Sequence, residues 1–317
     1  MPCRDMGRSA SGLSRRAALG TIATAGVGTL GGCLGSVASS EQLEMTVGIV
    51  PDVDPDTAIE KNQALKSYLE GELDASVTLR TTADYAGLVQ AMSAEQVDFA
   101  YFGGVSYVLA HHRAGAEAVV VGSKNGSTKW HSAFITHEST GLSKMNDVAT
   151  SADELDLVFG DPISTSGTVM PTHYLRNEYD LAPKRDFANL THVGAHDATA
   201  KAIANASGDV GALNARIYDA LVEEGSIGES VVELWRTPGF ADYPWAAAKT
   251  LDADTRDAIR TAFTGLDESG KSTILDQQNV DEYVETSHEQ FETLDSAVRT
   301  MGLLDSENAA ATSANES

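Results

Sequence analysis

From Met45 onward, short unbroken apolar runs alternate with stretches whose apolar residues recur every third or fourth position. That is the signature of buried strands alternating with amphipathic helices. Residues 45–50 form a strand stopped by Pro51. Helical spacing through Leu65, Tyr68 and Leu69 then leads to a second strand at 77–80. Strand, helix, strand is the unit of a parallel sheet. The pattern next predicts a helix over 85–92 behind Asp84 and a strand over 97–102 ending at Gly103-Gly104. Ser106 opens a helix through His111 and His112, and a strand at 118–122 is bounded by the turn signal Lys124-Asn125-Gly126.

A second series starts at 132–136. It predicts a strand at 155–159, a loop at 161–167, a helix at 168–177, a strand at 190–193 and a helix at 198–206. Strands at 210–213 and 231–235 follow, then helices over 253–266 and 281–301. The class is α/β. Two series of this size predict two doubly wound lobes with a ligand cleft between them. The expected division is lobe 1 from 45–132 plus 243–304, lobe 2 from 133–242, and a disordered tail at 305–317.

Charge narrows the function. The 317 residues hold 22 basic and 46 acidic side chains, a formal −24. Arg4, Arg8, Arg15 and Arg16 against Asp5 lie in the first 33 residues, so the remainder carries 18 basic and 45 acidic groups, or −27. Such a surface repels a phosphate backbone and argues against nucleic-acid binding. With only nine lysines, it resembles haloarchaeal, salt-adapted surfaces, where a Debye length of ~3 Å at 1 M salt quiets self-repulsion.

The two cysteines, Cys3 and Cys33, both precede the folded body, so no internal disulfide or cysteine metal site organises it. Ser14-Arg15-Arg16 and a weakly apolar stretch up to Leu30 are too short and glycine-rich to span a bilayer, and they read as a signal peptide over 1–33. The twin arginines resemble a Tat signal, and Leu30-Gly31-Gly32-Cys33 resembles a lipobox, which implies lipidation at Cys33. Residues 34–44 then serve as a tether. The expectation is an exported protein held on the outer face of the cell membrane.

The candidate chemistry lies in Gly160-Asp161-Pro162-Ile163-Ser164-Thr165-Ser166-Gly167, between a strand and a helix. Three hydroxyls sit beside the free N–H groups of a helix start, and Gly167 lets the backbone approach a ligand. The helix dipole contributes ~0.3 to 2 kcal/mol to a bound anion, and each hydrogen bond to a charged group ~1.5 to 3 kcal/mol. A chain at −27 can therefore bind a tetrahedral oxyanion without a basic side chain. An ordinary helix cap explains the loop taken alone equally well.

Further strings change that balance: Val47-Gly48-Ile49-Val50-Pro51, Asp84-Tyr85-Ala86-Gly87-Leu88-Val89, Val97-Asp98-Phe99-Ala100-Tyr101-Phe102-Gly103, Ser106-Tyr107, Gly194-Ala195-His196-Asp197 and Asp209-Val210-Gly211-Ala212. With the Ser-Thr-Ser-Gly loop and in this order, the chain resembles the PhnD-like phosphate, phosphite and phosphonate binding proteins of ABC importers over about 45–265. The resemblance implies that Ser164, Thr165, Ser166 and Gly167 hold the phosphoryl oxygens, with Tyr85 from the first lobe and His196 from the second. It implies an aromatic contact at Tyr101 or Phe102. The slots where relatives place carboxylates for an aminoalkyl tail hold Arg216 and Tyr243, with Asp242 adjacent, which favours phosphate, phosphite or a phosphonate with a small uncharged tail.

The implied partners are an ABC permease with its ATPase subunit, and the protein acts as a monomer without a cofactor. A binding protein for another small anion, such as a sulfonate or nitrate, is the alternative. An extracytoplasmic phosphoesterase is disfavoured, because Ser164 or Ser166 with His196 lacks a Gly-x-Ser-x-Gly elbow. Metal ligation is not expected: His192 and His196 do not share a helix, and His111-His112 have no carboxylate at a matching spacing. Trp130, Trp235 and Trp245 are assigned to core or hinge packing.

Overall fold

A computed structural model describes residues 42–266 and 272–305. The signal peptide expected over 1–33 with Cys33, most of the expected tether, and residues 306–317 lie outside the described residues. In chain order the elements are β1 (Leu43–Ile49), α1 (Pro55–Lys61), α2 (Gln63–Leu73), β2 (Ala75–Thr81), α3 (Tyr85–Ser93), β3 (Phe99–Tyr101), α4 (Gly104–Ala114), β4 (Glu117–Ser123) and β5 (Lys129–Trp130). Then come β6 (Ser132–His137), α5 (Met145–Ser151), β7 (Asp156–Phe159), α6 (Met170–Tyr179), α7 (Pro183–Asp186), β8 (Asn189–His192), α8 (His196–Ala204), β9 (Val210–Asn214) and α9 (Ala215–Glu223). The chain closes with β10 (Val231–Arg236), β11 (Phe240–Ala241), β12 (Pro244–Ala247), α10 (Ala253–Thr264), α11 (Ser272–Gln278), β13 (Glu282–Glu285) and α12 (Glu292–Thr300).

Two sheets carry the lobes, in the orders β13-β4-β12-β3-β1-β2 and β10-β6-β9-β7-β8. They share one plan. In the first, β1 lies parallel between β2 and β3, and β12 pairs antiparallel with β3 and β4. In the second, β7 lies parallel between β8 and β9, and β6 pairs antiparallel with β9 and β10. Each sheet thus receives one reversed strand from across the molecule. Apolar clusters cover both faces of each sheet, which is why the central strands read as unbroken apolar runs. The chain crosses between sheets at β5 and β11, which pair antiparallel with Phe240 opposite Trp130.

Several elements differ from the sequence reading. β1 begins at Leu43, two residues earlier, because Leu43 and Glu44 pair with Ala75 and Ser76. The helix expected over 281–301 is instead β13, a short 3-10 turn (His288–Phe291) and α12. Tyr283 is buried in the apolar cluster between the sheet and α10, and β13 extends the sheet edge along β4, so tertiary pairing overrides helical spacing. α4 starts at Gly104, and Ser106 sits inside it with its hydroxyl donating back to the Gly103 carbonyl at 2.9 Å. β5, β11 and β12 are too short or too mixed to stand out as periodic runs. Among the described residues no helix is long and apolar enough to cross a membrane.

Candidate functional site

The carboxyl ends of the parallel strands face one another across the cleft, where open α/β sheets gather ligands. On the second lobe, β7 runs into Asp161, whose N–H donates to the Gly194 carbonyl at 2.7 Å. Ser164 caps the helix that follows, its hydroxyl accepting from the Gly167 N–H at 3.2 Å. Thr165–Val169 form a wide π-type turn in which the Val169 N–H reaches back five residues to the Ser164 carbonyl, at 3.0 Å. The helix therefore begins earlier than the spacing predicted, and Thr165, Ser166 and Gly167 lie within its first turn. Such single widened turns are rare and recur at functional sites. A Cβ on Gly167 would stand 2.9 Å from Ser164 Oγ and 3.1 Å from His196 Cε1, so this position admits only glycine without displacing the site.

Across the cleft, α3 and α4 point their N-termini at this turn. Tyr85 is buried at the start of α3, and its hydroxyl turns toward Ser164 without a hydrogen-bond partner. Its backbone N–H donates to Asp161 Oδ2 at 3.2 Å. Burial and the neighbouring carboxylates push the Tyr85 hydroxyl well above its usual pKa, so it is a donor at neutral pH. At the start of α4, the Val105 N–H donates to the Thr165 hydroxyl at 2.9 Å and the Gly104 N–H to Asp242 Oδ1. Asp242 is fully buried, also accepts from the Tyr243 N–H at 2.9 Å, and has its second oxygen unpartnered. Burial raises its pKa to about 7. The Ser166 hydroxyl is likewise buried and unpartnered.

His196 opens α8 at 1% exposure. Its Nδ1 accepts from the Asn214 N–H at 3.2 Å, which assigns the proton to Nε2, 3.0 Å from the Tyr243 hydroxyl. Burial lowers its pKa to about 4, so the ring is a neutral donor. The Tyr243 hydroxyl in turn faces Asp52, whose pKa burial raises to about 6. The His196 N–H donates to the Asp52 carbonyl at 2.9 Å, a further bond across the cleft.

Beside these groups lies a cavity of about 320 Å³ lined by Asp52, Lys61, Tyr101, Trp130, Asp197 and Arg216. Tyr101 is the aromatic that faces it, its ring 5.2 Å from Tyr243 and 5.0 Å from Trp245. Phe102 is fully buried in the apolar cluster that also holds Tyr85, Val169 and Met170, gluing the walls together. Arg216 lies with its guanidinium carbon 3.8 Å from the Trp130 ring centre and donates to the Ser127 and Lys129 carbonyls. Burial lowers its pKa. It is a wall of the cavity rather than a free surface arginine.

Converging hydroxyls and helix N-termini from the two lobes, with a neutral imidazole and a buried phenol beside them, suit capture of a small oxyanion. The family model described as "ABC transporter, phosphonate, periplasmic substrate-binding protein" matches residues 47–291. The chain belongs to that family. It is 24% identical over 265 residues, 79% of its length and 87% of the relative's, to the Prochlorococcus marinus protein named "Probable ABC transporter phosphite binding protein PhnD1". It is 30% identical over 199 residues, 62% of this chain and 58% of the relative's, to the phosphonates-binding periplasmic protein of Escherichia coli. The fold matches the structure of Prochlorococcus marinus PhnD1 in complex with methylphosphonate at a TM-score of 0.76, with 23% identity, covering 82% of this chain and 98% of that one.

Within this phosphonate-binding family fold, the structure brings Tyr85, Ser164, Thr165, Ser166, Gly167 and His196 together, puts Tyr101 on the adjoining cavity and leaves Phe102 in the core. Sequence reasoning missed Asp52 as a site residue and named Asp242 only as a neighbour of Tyr243. Asp52 follows the β1 terminus, where a ligand-facing residue is expected; Asp242 sits among short elements with no periodicity to mark it.

Proposed function

We propose that this chain is the extracytoplasmic binding component of an ABC importer for a phosphorus oxyanion: phosphate, phosphite or a phosphonate with a short tail. The observation that carries this reading is that the buried hydroxyls of Tyr85, at the start of α3, and Ser166, in the first turn of the facing helix, both lack a hydrogen-bond partner. The Ser164–Gly167 turn holds the oxygens from lobe 2 and Tyr85 donates to them, while His196 braces the turn, tied to the Tyr243 hydroxyl and the Asn214 N–H. A ligand bridging both lobes binds the closed form better and shifts the population toward it, which the permease then recognises.

Asp242 sharpens the ligand class. An oxyanion that keeps a P–OH can donate to its free carboxylate oxygen, whereas sulfate, sulfonates and nitrate carry no proton near neutral pH and meet it with like charge. The 320 Å³ cavity takes the tail. A second reading, an aminoalkyl tail, is favoured by one observation, the Asp52 carboxylate on that cavity wall.

Lobe 1 spans 45–132 and 243–304 and lobe 2 spans 133–242, hinged at β5 and β11. The twin arginines and Leu30-Gly31-Gly32-Cys33 support Tat export and a lipid anchor at Cys33, with the monomeric protein on the outer membrane face. The test is calorimetric titration in molar salt with phosphate, phosphite, methylphosphonate, 2-aminoethylphosphonate and sulfate. Tight binding of one of the first three is expected. Tight 2-aminoethylphosphonate binding assigns Asp52 to its ammonium, and binding of sulfate alone refutes the role of Asp242. Mass spectrometry of the exported protein checks the lipid on Cys33.

A further inference from the structure

At the far end of α4 from the anion site, three side chains from distant parts of the chain meet. His112 Nε2 lies 2.8 Å from Asp295 Oδ1, although the residues are 183 apart in sequence. His288 Nε2 lies 3.9 Å from Asp295 Oδ2. One ligand atom from each of the three residues falls within 4.8 Å of the others. We propose that His112, His288 and Asp295 form a binding site for a divalent transition metal of the zinc class, clasping α12 and the preceding turn to α4. Two imidazoles and one carboxylate suit zinc, with remaining positions left to water.

The surroundings aim the ligands. The Tyr107 hydroxyl lies 3.2 Å from His288 Nδ1, and the His288 ring stacks on His111 at 3.7 Å and 13°. His111 is itself fixed by its Nδ1, 2.8 Å from the Ala116 carbonyl. Contacts of this kind orient a ligating imidazole and fix its tautomer.

In the ligand-free protein a guanidinium sits against the cluster. Arg299 places one guanidinium nitrogen 3.2 Å from His112 Nε2 and another 3.2 Å from Asp295 Oδ1. A neutral His112 cannot both donate from Nε2 to Asp295 and accept there from Arg299. The Arg299 side chain is 56% exposed and can swing into solvent, exchanging one cation for another. The sequence reading dismissed the His111-His112 pair because no carboxylate completes a known ligand spacing; the fold supplies one from α12.

The test uses the full chain, free of affinity tags and stripped with EDTA, titrated calorimetrically with zinc chloride. One zinc per chain and a raised melting temperature are expected. His112→Gln and Asp295→Asn should each weaken zinc binding by at least about tenfold, the lower end of the loss seen even for outer-shell partners. His112 is exposed, so its variant keeps the fold, and His137→Gln on the other lobe should bind zinc unchanged. Phosphate titrations should be indifferent to these variants, since His112 lies ~12 Å along α4 from Gly104. No saturable zinc uptake, or unchanged affinity in His112→Gln and Asp295→Asn, overturns the proposal.

Discussion

The two helix starts that face each other across the cleft are completed by different means. The turn at Thr165–Val169 carries its own cap, Ser164, three residues before the N–H it satisfies. α4 has no side-chain cap of its own: Gly103 stands at that position, and its first N–H groups go to Asp242, 138 residues away, and Thr165, 60 residues away. The lobe 2 wall is thus built locally, while the lobe 1 wall is completed by residues that lie beyond the chain's crossings. On the proposed reading the first would receive the ligand's oxygen atoms, and the second would depend on how the two lobes meet.

Removing both hydroxyls of the local wall should have the largest effect. Ser164→Ala with Thr165→Ala deletes two hydrogen bonds to a charged ligand, about 3 to 6 kcal/mol together, so affinity should fall by roughly 10² to 10⁴ in titration calorimetry. Retained binding would mean that the turn is only a cap.

Asp242→Asn tests the wall completed from a distance. Asp242 titrates at about 7 in the fold against 3.8 when exposed, so its contribution to stability is full below about pH 4 and lost as pH rises through 7. The ligand-free variant should therefore melt higher than the parent at pH 8 and bind phosphate at least about tenfold more weakly, for loss of about 1.5 kcal/mol or more. Denaturation at pH 5 and 8 checks the sign, and equal melting shifts at both would refute it.

His196 has the opposite sign. Its pKa falls from 6.5 to about 4 on burial, so the stability from the neutral ring is present above 6.5 and lost as pH falls through 4. The stability gap between the parent and His196→Gln should narrow across that range in urea titrations. The smallest effect belongs to the exposed cap of α3: Asp84→Ala loses the bond to the Gly87 N–H and should cost ~1 kcal/mol of stability.

The same contrast explains what the sequence disclosed. β1, β2, α3 and β7 follow from local periodicity, and Ser164 to Gly167 from local capping chemistry, because each is specified within a dozen residues. Asp242, the His112–His288–Asp295 cluster and β13 depend on pairings across more than 100 residues. No periodicity encodes those. Tyr101 and Phe102 are consecutive at the end of β3, yet only the register of β3 with β12 decides that Tyr101 meets Tyr243 and the cavity.

The paired ribbons β5 and β11 carry a mechanical corollary. Two crossings bonded side by side bend readily about an axis through both but resist twisting, as a door hung on two pins swings without yawing. An opening about these crossings would follow a single angular coordinate, which one distance between labels on the two lobes would track.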